Sequence, residues 1–524
     1  MTTTRAGHPL LPVFIAVVAA IGLLGNPATT PEARAATPDL TIVTSARYDV
    51  QPSKRKVAIS VGLTLTNRLR DTRTRRYYFD RAYLAVLPGT TAFRISGSGT
   101  RVAVSRRTKD YTLLRIDMPR LFSGKTRGHR LTFELRDPGG SATRDVRVGG
   151  SLVSFPVWAF ASDDTPGSSV TVVFPKGYTL DVDARQFPDR TTDANGRQIL
   201  RTGRLAKPLT FFAFLLADRP GAYAETTLET MVGDRQVELT IRAWSDDEPW
   251  AKRVGQLMAR GLPVLGERIG LEWPRPGGLT VQEAVSRSTG GYAGLFDPTA
   301  GLVEVAYYAG DVVVFHEGAH AWFNGALLVD RWANEAFASY YAAEVAETLE
   351  VKQSGDVLTD ALKQSKIPLN AWGPLGRDGE EIEEYAYAAT LELARLIATK
   401  AGDDGLRSVW AAAAGRVGAY QPSSGEPELI AGPPDWRGLL DLLEDTTGES
   451  YDGLWRDWVV RSEEEPLLGD RQAAREAYES IVEAAGDWSI PRLIRDGLRA
   501  WRFDEVMTLL GEARSALDER AAVG

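Results

Sequence analysis

The feature that most constrains the fold is a change of hydrophobic period along the chain. From about residue 40 to 225, apolar and polar residues alternate in short runs rich in β-branched and aromatic side chains. "KVAISVGLTLTN" (56–67), "YTLLRIDM" (111–118), "HRLTFELRD" (129–137), "SSVTVVFP" (168–175) and "KPLTFFAFLLAD" (207–218) are such runs, separated by Gly, Pro, Asp and Asn. Alternation every two residues gives strands with one buried face, and many short strands at this spacing predict a β-sandwich over 37–225. "RQVELTIRAW" (235–244) adds a strand, 248–270 reads as a helix, and "GGLTVQEA" and "GLVEVAYYAG" read as strands. Beyond 311 the period is helical over 311–324, 331–350, 384–400, 436–446, 469–484 and 491–518. One segment cannot satisfy both periods, so a β unit is followed by an α+β unit over 226–465 and a helical segment over 466–524. A length of 524 residues also exceeds what one hydrophobic core organises.

The chain has no cysteine. Disulfides, thiolate ligands and thiol catalysis are therefore excluded, and any metal must be held by His, Asp or Glu. The net charge of −8 is mild for this length. At the N-terminus Arg5 precedes the apolar run "PLLPVFIAVVAAIGLLG" (9–25), and Ala33-Arg34-Ala35 offers a small-residue cleavage site. Residues 1–36 read as a signal peptide, which predicts an exported protein, released or held at the cell surface. No second apolar run is long enough to span a bilayer, so no stable membrane span is expected after cleavage.

A basic stretch, "NRLRDTRTRRYYFDR" (67–81), interleaves arginines with aromatics. One reading is a site for an anionic partner such as a cell-wall polymer or nucleic acid; because no recognised nucleic-acid motif accompanies it, the favoured reading is the solvated tip of a hairpin, and no nucleic-acid partner is expected.

Chemistry concentrates in "FHEGAHAWFN" (315–324), which holds two of the four histidines. His316-Glu317-Gly318-Ala319-His320 is an H-E-x-x-H pattern. On a helix, residues four apart point the same way, so both imidazoles converge on one point and can share a zinc ion. Glu317, one residue round the helix, can reach a water at that ion without ligating it. Chance matches in a chain with four histidines number on the order of 0.002. A catalytic zinc takes three protein ligands and leaves one position open. "DRWANEAFASYYAAEVAETL" (330–349) is a helix pattern in which Glu335 flanks an apolar stripe of Trp332, Ala336, Phe337 and Tyr340. Glu335, separated from His320 by 14 residues, is the expected third ligand.

These residues resemble the gluzincin metallopeptidases, specifically the aminopeptidase N family. "HEGAHAWFN" is similar to the family's H-E-x-x-H with its W-F-G-N continuation, and "NEAFA" (334–338) to its N-E-G-F-A motif. The resemblance implies one Zn2+ per chain, held by His316, His320 and Glu335, with Glu317 as general base. It also implies a multidomain protein: an N-terminal β-sandwich, a thermolysin-like α+β zinc catalytic domain over 226–465, and a helical C-terminal region. "EEYAYAATLELARLI" (383–397) resembles the family's Y-x-K-G-A segment, whose tyrosine binds the oxyanion. Tyr385 is the match, with Tyr387 the alternative register. The family's G-A-M-E-N motif, whose Glu binds the substrate's free amine, has "TGGYAGLFD" (289–297) in its place, with Ala293 near the expected Glu.

The backbone there, with Gly290, Gly291 and Tyr292, is expected to lie alongside an extended peptide. A peptide or protein substrate and endopeptidase rather than strict aminopeptidase action follow. The alternative is a catalytically impaired, secreted binding or scaffold protein. A serine triad is disfavoured, because the only histidine beyond residue 36 outside the motif is His129, and no G-x-S-x-G elbow is present. Substrate identity and oligomeric state are left open.

Overall fold

The structure is a computed structural model that describes residues 38–140, 144–285, 289–352 and 357–523. The expected signal peptide lies outside these residues. Among the described residues, no helix is long and apolar enough to cross a membrane. The chain divides into two compact units. The first comprises residues up to 224 together with 243–249, and the second 225–242 together with 250–524.

The first unit is β-rich. Its seven-stranded sheet is built around Leu40–Gln51 and Lys56–Asn67, which pair antiparallel along their whole length. Thr126–Arg136 extends the sheet on one side and Ser169–Phe174 on the other, the latter in parallel. A four-stranded sheet contains Leu152–Trp158 and Phe212–Asp218, and a three-stranded sheet contains Tyr78–Val86, Arg101–Arg107 and Thr112–Phe122. Alternate residues of all three sheets, among them Val61, Leu65, Leu114, Ile116, Phe155 and Val172, bury one core. Tyr48 crosses that core. Its hydroxyl donates to the Trp158 carbonyl (2.7 Å) and accepts the Trp158 N–H (2.8 Å), so the buried phenol is satisfied in both roles. The basic stretch after Asn67 is not the tip of a hairpin. Residues 68–77 cross from the seven-stranded sheet to the three-stranded one.

The second unit begins with a five-stranded sheet formed by β1 (Tyr223–Val232), β2 (Arg235–Trp244), β3 (Leu279–Ala284), β4 (Gly294–Asp297) and β5 (Leu302–Ala306), in the order β1-β2-β3-β5-β4. Strands β2, β3 and β5 run parallel, while β4 runs antiparallel to β5 at the sheet's edge. Helix α1 (Glu248–Ile269) connects β2 to β3 and buries Val254, Met258, Leu262 and Leu265. It lies close to α2 (Asp311–Ala319), and two glycines make room. A Cβ on Gly261 would stand 2.6 Å from the Phe315 ring, and one on Gly318 3.1 Å from the Met258 sulfur. At the start of α2, Asp311 pairs with Arg253.

Helices α3 (Arg331–Thr348) and α4 (Glu380–Ala414) follow, then α5 (Trp436–Thr447), α6 (Glu465–Ala485), α7 (Arg492–Arg499) and α8 (Phe503–Val523). Phe323, just after α2, stacks on Tyr341 of α3 and meets Trp410 of α4 edge-on at 5.2 Å. The Trp410 indole N–H donates to the Tyr341 hydroxyl at 2.8 Å, which ties α3 to α4 in a buried setting. Three expected helices differ in extent. The first stops at Ala319, where the chain turns through residues 320–328. The third runs on to Ala414 across a break at Gly402 (φ 67°, ψ 166°). The last is two helices, divided by Trp501 at φ 53°.

Candidate metal centre

α2 presents His316 and His320 one turn apart, and α3 packs against it to bring in Glu335. The three donor atoms form a small triangle. His316 Nε2 lies 3.0 Å from His320 Nε2 and 3.2 Å from Glu335 Oε2, and His320 Nε2 lies 3.5 Å from that same oxygen. Tetrahedral zinc with bonds of about 2.0–2.1 Å places its ligand atoms about 3.3 Å apart, so the triangle fits such an ion. Among the described residues this is the one group of three or more such side chains close enough to hold a metal.

The far nitrogens are engaged elsewhere. His320 Nδ1 lies 2.7 Å from the Phe323 carbonyl, and His316 Nδ1 lies 3.1 Å from Ser339 Oγ. A carbonyl can only accept, so Nδ1 of His320 carries a proton, and in the neutral imidazole that turns the lone pair of Nε2 to the triangle. Ser339 stands one turn beyond Glu335 on α3, so one helix face supplies a ligand and orients another. The Phe296 ring of β4 stacks on His320 at 6.4 Å.

Electrostatics match the geometry. Burial works against ionisation of Glu335, but the two histidines outweigh it and hold its carboxyl well below the ordinary range. Burial pushes His316 down; it opposes the charge on His320 too, yet the Glu335 carboxylate raises that imidazole. The cluster is thus arranged to hold a positive charge. Glu317 is buried beside it, and burial drives its carboxyl up to about 8, the range of a proton acceptor working near neutral pH.

β4 passes directly over that carboxyl. A Cβ on Gly294 would stand 2.5–2.7 Å from Glu317 side-chain atoms, so only glycine fits. A cavity joins these parts, lined by Tyr292, Gly294, Leu295, Phe296, His316, Glu317, His320, Arg331, Asn334, Glu335, Leu375 and Tyr387 among others.

Of the expected site residues, His316, Glu317, His320, Glu335 and Tyr292 line this cavity. Gly290 and Gly291 do not; they form a turn with φ 64° and 102°, and β4 starts only at Gly294. Tyr385 does not line it either. Its hydroxyl is buried with no partner among the described residues, and burial raises the phenol to about 12. Of the two tyrosines on this helix, the one that lines the cavity is the alternative, Tyr387.

Sequence reasoning missed Arg331, in the first turn of α3. Its Nη2 donates to Glu383 Oε2 (2.8 Å) and to the Tyr387 hydroxyl (3.2 Å). Its Nη1 donates to Glu383 Oε1 (3.1 Å) and to the Gly373 carbonyl (2.7 Å). The guanidinium lies 3.8 Å over the Trp372 ring. Glu383 also accepts from Tyr292 Oη at 3.1 Å and Trp372 Nε1 at 3.1 Å. Tyr387 is therefore fixed by a donor at its oxygen and by edge contacts from Trp372 and Tyr292.

No protein-family model matches the chain, and no curated protein does. Solved structures similar to it include an M1 zinc metallopeptidase from Deinococcus radiodurans, 19% identical, with 81% of this chain and 94% of that chain covered at a TM-score of 0.31. A mutant of that enzyme bound to a Tyr-Ser-Ala substrate is 18% identical, covering 81% and 95% at a TM-score of 0.33. Identity and overlap of that order fix neither family nor substrate for this chain.

Proposed function

We propose that this chain is an exported zinc-dependent peptidase that acts within peptide chains rather than strictly at a free amino terminus. The observation that carries the reading is the donor triangle of His316, His320 and Glu335, with Glu317 buried beside it under an open strand edge. Residues 226–465 would then be a thermolysin-like catalytic region. When bound there, zinc supplies Lewis acidity, lowering the pKa of a water and polarising a carbonyl. His316, His320 and Glu335 would hold it.

The chain's own residues account for the rest of the chemistry. The Glu317 carboxylate takes a proton from the attacking water and returns it to the leaving amine. Tyr387, whose oxygen already accepts from Arg331, has its O–H free to donate to the oxyanion. The outer edge of β4 offers unpaired backbone groups to an extended peptide, and the cavity beside it takes side chains. Ala293 supplies no carboxylate for an amino terminus, which supports internal cleavage. Export rests on the signal-peptide pattern of residues 1–36.

The test pairs metal analysis with hydrolysis of a quenched internal-peptide library and of amino-terminal chromogenic substrates. One zinc per chain, with library cleavage lost in Glu317→Gln while the metal stays bound, is expected. Absence of bound zinc overturns the proposal. Zinc without turnover would favour a binding protein that keeps the metal centre.

A further inference from the structure

Residues 67–130 of the first unit carry a charge that the metal centre does not explain. They hold 16 Lys or Arg and 4 Asp or Glu, in a chain whose net charge is −8. Fourteen of the sixteen are arginine. The fold gathers them. In the crossover loop, Arg68, Arg70, Arg73, Arg75 and Arg76 are all exposed. Among the described residues none of these five guanidinium groups has a hydrogen-bond or ion-pair partner, because the loop is held by its backbone and by Asn67, Asp71 and Thr72 instead.

The loop is joined to the turn at Phe122–Lys125. Ser123 Oγ donates to the Leu69 carbonyl at 2.6 Å, and Asn67 Nδ2 donates to the Leu121 carbonyl at 2.9 Å. That turn ends the three-stranded sheet, whose exposed face continues the same charge. Arg81, Asp117 and Arg101 lie in one cross-strand row, and Tyr83, Arg115 and Ala103 in the next. Asp117 pairs with Arg81 and Arg115, each at 3.1 Å, and leaves Arg101 unpaired. Arg106, exposed on the same edge strand, is also unpaired among the described residues.

Like charges gathered at this density repel one another, and a multivalent anion relieves the repulsion by releasing its counterions. Arginine rather than lysine favours flat, bidentate anions such as phosphate. Same-face side chains on a strand recur about every 7 Å, similar to successive phosphates in an extended phosphodiester chain. A base-reading surface would need free aromatic platforms. Here Arg120 lies over the half-exposed Tyr78 at 4.5 Å and Phe122 tilts against it at 5.8 Å, which leaves Tyr83 as a single further exposed ring on the three-stranded sheet rather than a row of open platforms. We propose that the arginine loop and the adjoining sheet face form a docking surface for a linear phosphodiester polymer, recognised through its phosphates and not through bases.

The test measures binding of the full chain to poly(glycerol phosphate), single-stranded DNA and poly-L-glutamate across salt concentrations. Two variants remove charge from side chains without structural contacts: Arg70, Arg73, Arg75 and Arg76→Gln together, and Arg101 with Arg106→Gln. Arg204 with Lys207→Gln removes two charges from another exposed stretch of the same unit. With about five phosphates engaged, affinity should fall on the order of 100-fold between 50 and 200 mM salt. The loop variant should weaken binding at least tenfold and flatten the salt dependence, the two-residue sheet variant should do so to a lesser degree, and the control should do neither. Peptide hydrolysis should be unchanged in all three. Absence of binding at low salt, or equal loss in the control, overturns the proposal. So does tighter binding of poly-L-glutamate per charge, or of DNA per phosphate.

Discussion

At the residue scale, two tyrosines on one helix have opposite expected roles. Tyr387 lines the cavity and Tyr385 does not. Tyr387→Phe should lower kcat roughly 100- to 1,000-fold at unchanged metal content, as expected for the loss of one oxyanion donor. Tyr385→Phe should leave kcat alone. It should also raise the unfolding free energy by on the order of 1 kcal/mol, because it deletes a buried hydroxyl that has no partner among the described residues. Steady-state kinetics and urea melts of both variants decide this, and the opposite pattern would return the role to Tyr385. Removing Arg331 with Arg331→Met strands Glu383, which is 4% exposed, and should cost about 3–5 kcal/mol in the same melts. The two histidines of the donor triangle were legible as a pair because a turn of helix puts side chains four apart on one side, whereas Glu335 comes from another helix. The choice of tyrosine was legible in principle. Residues 385 and 387 lie roughly 200° apart around a helix, and Glu383 shares the Tyr387 side. What sequence does not encode locally is the pairing of Arg331 with Glu383, across 52 residues.

At the element scale, some strands and helices were read almost to the residue, while other strands, among them Tyr78–Val86, Arg101–Arg107 and Leu152–Trp158, were not read at all. Lys56–Asn67 and Arg235–Trp244 match their alternating patterns to the residue, because a buried face fixes a period-two register. The division of the last helix escaped notice because its turn uses Trp501, a residue type that carries no turn signal. One connection between elements has a measurable pH signature. Glu428, in the loop closed by the Val417–Leu429 bridge, accepts from Arg495 Nε at 3.0 Å and pairs with Arg499 Nη1 at 2.8 Å, both on α7. The hydrogen bond from Arg495 lowers its carboxyl from 4.5 to about 2, against the opposing effect of burial. A carboxyl lowered on folding stabilises fully above its unfolded pKa and stops doing so as pH falls through the folded one. Glu428→Gln should therefore destabilise on the order of 3 kcal/mol at pH 6. The gap to the parent should close as pH falls from about 4.5 towards 2. A gap independent of pH in thermal melts would refute the ion-pair account.

At the scale of the whole molecule, the donor triangle joins α2 to α3, and the unfolded chain has no such arrangement. Chelation should lower the melting temperature of the second unit. A site filled at 1,000 times its dissociation constant stabilises by about 4 kcal/mol. In Glu335→Gln the chelator should shift the melt much less, and calorimetry with and without chelator reads both. The first unit, which holds no such triangle among its described residues, should melt unchanged. The broad plan of a β-rich unit followed by a helix-rich one was visible in the change of period. The mixed sheet that opens the second unit was only partly so, since β4 is four residues long and follows two glycines that turn the chain.

That short edge has a consequence for selectivity. Four residues of free strand give a guest peptide only a few backbone bonds, so length adds little grip beyond the cleavage point. A guest in β register turns every second side chain towards the cavity and its neighbours towards water. A profile of preferred cleavage sequences should therefore show a rhythm of two, with strong choice at alternating positions and near indifference between them.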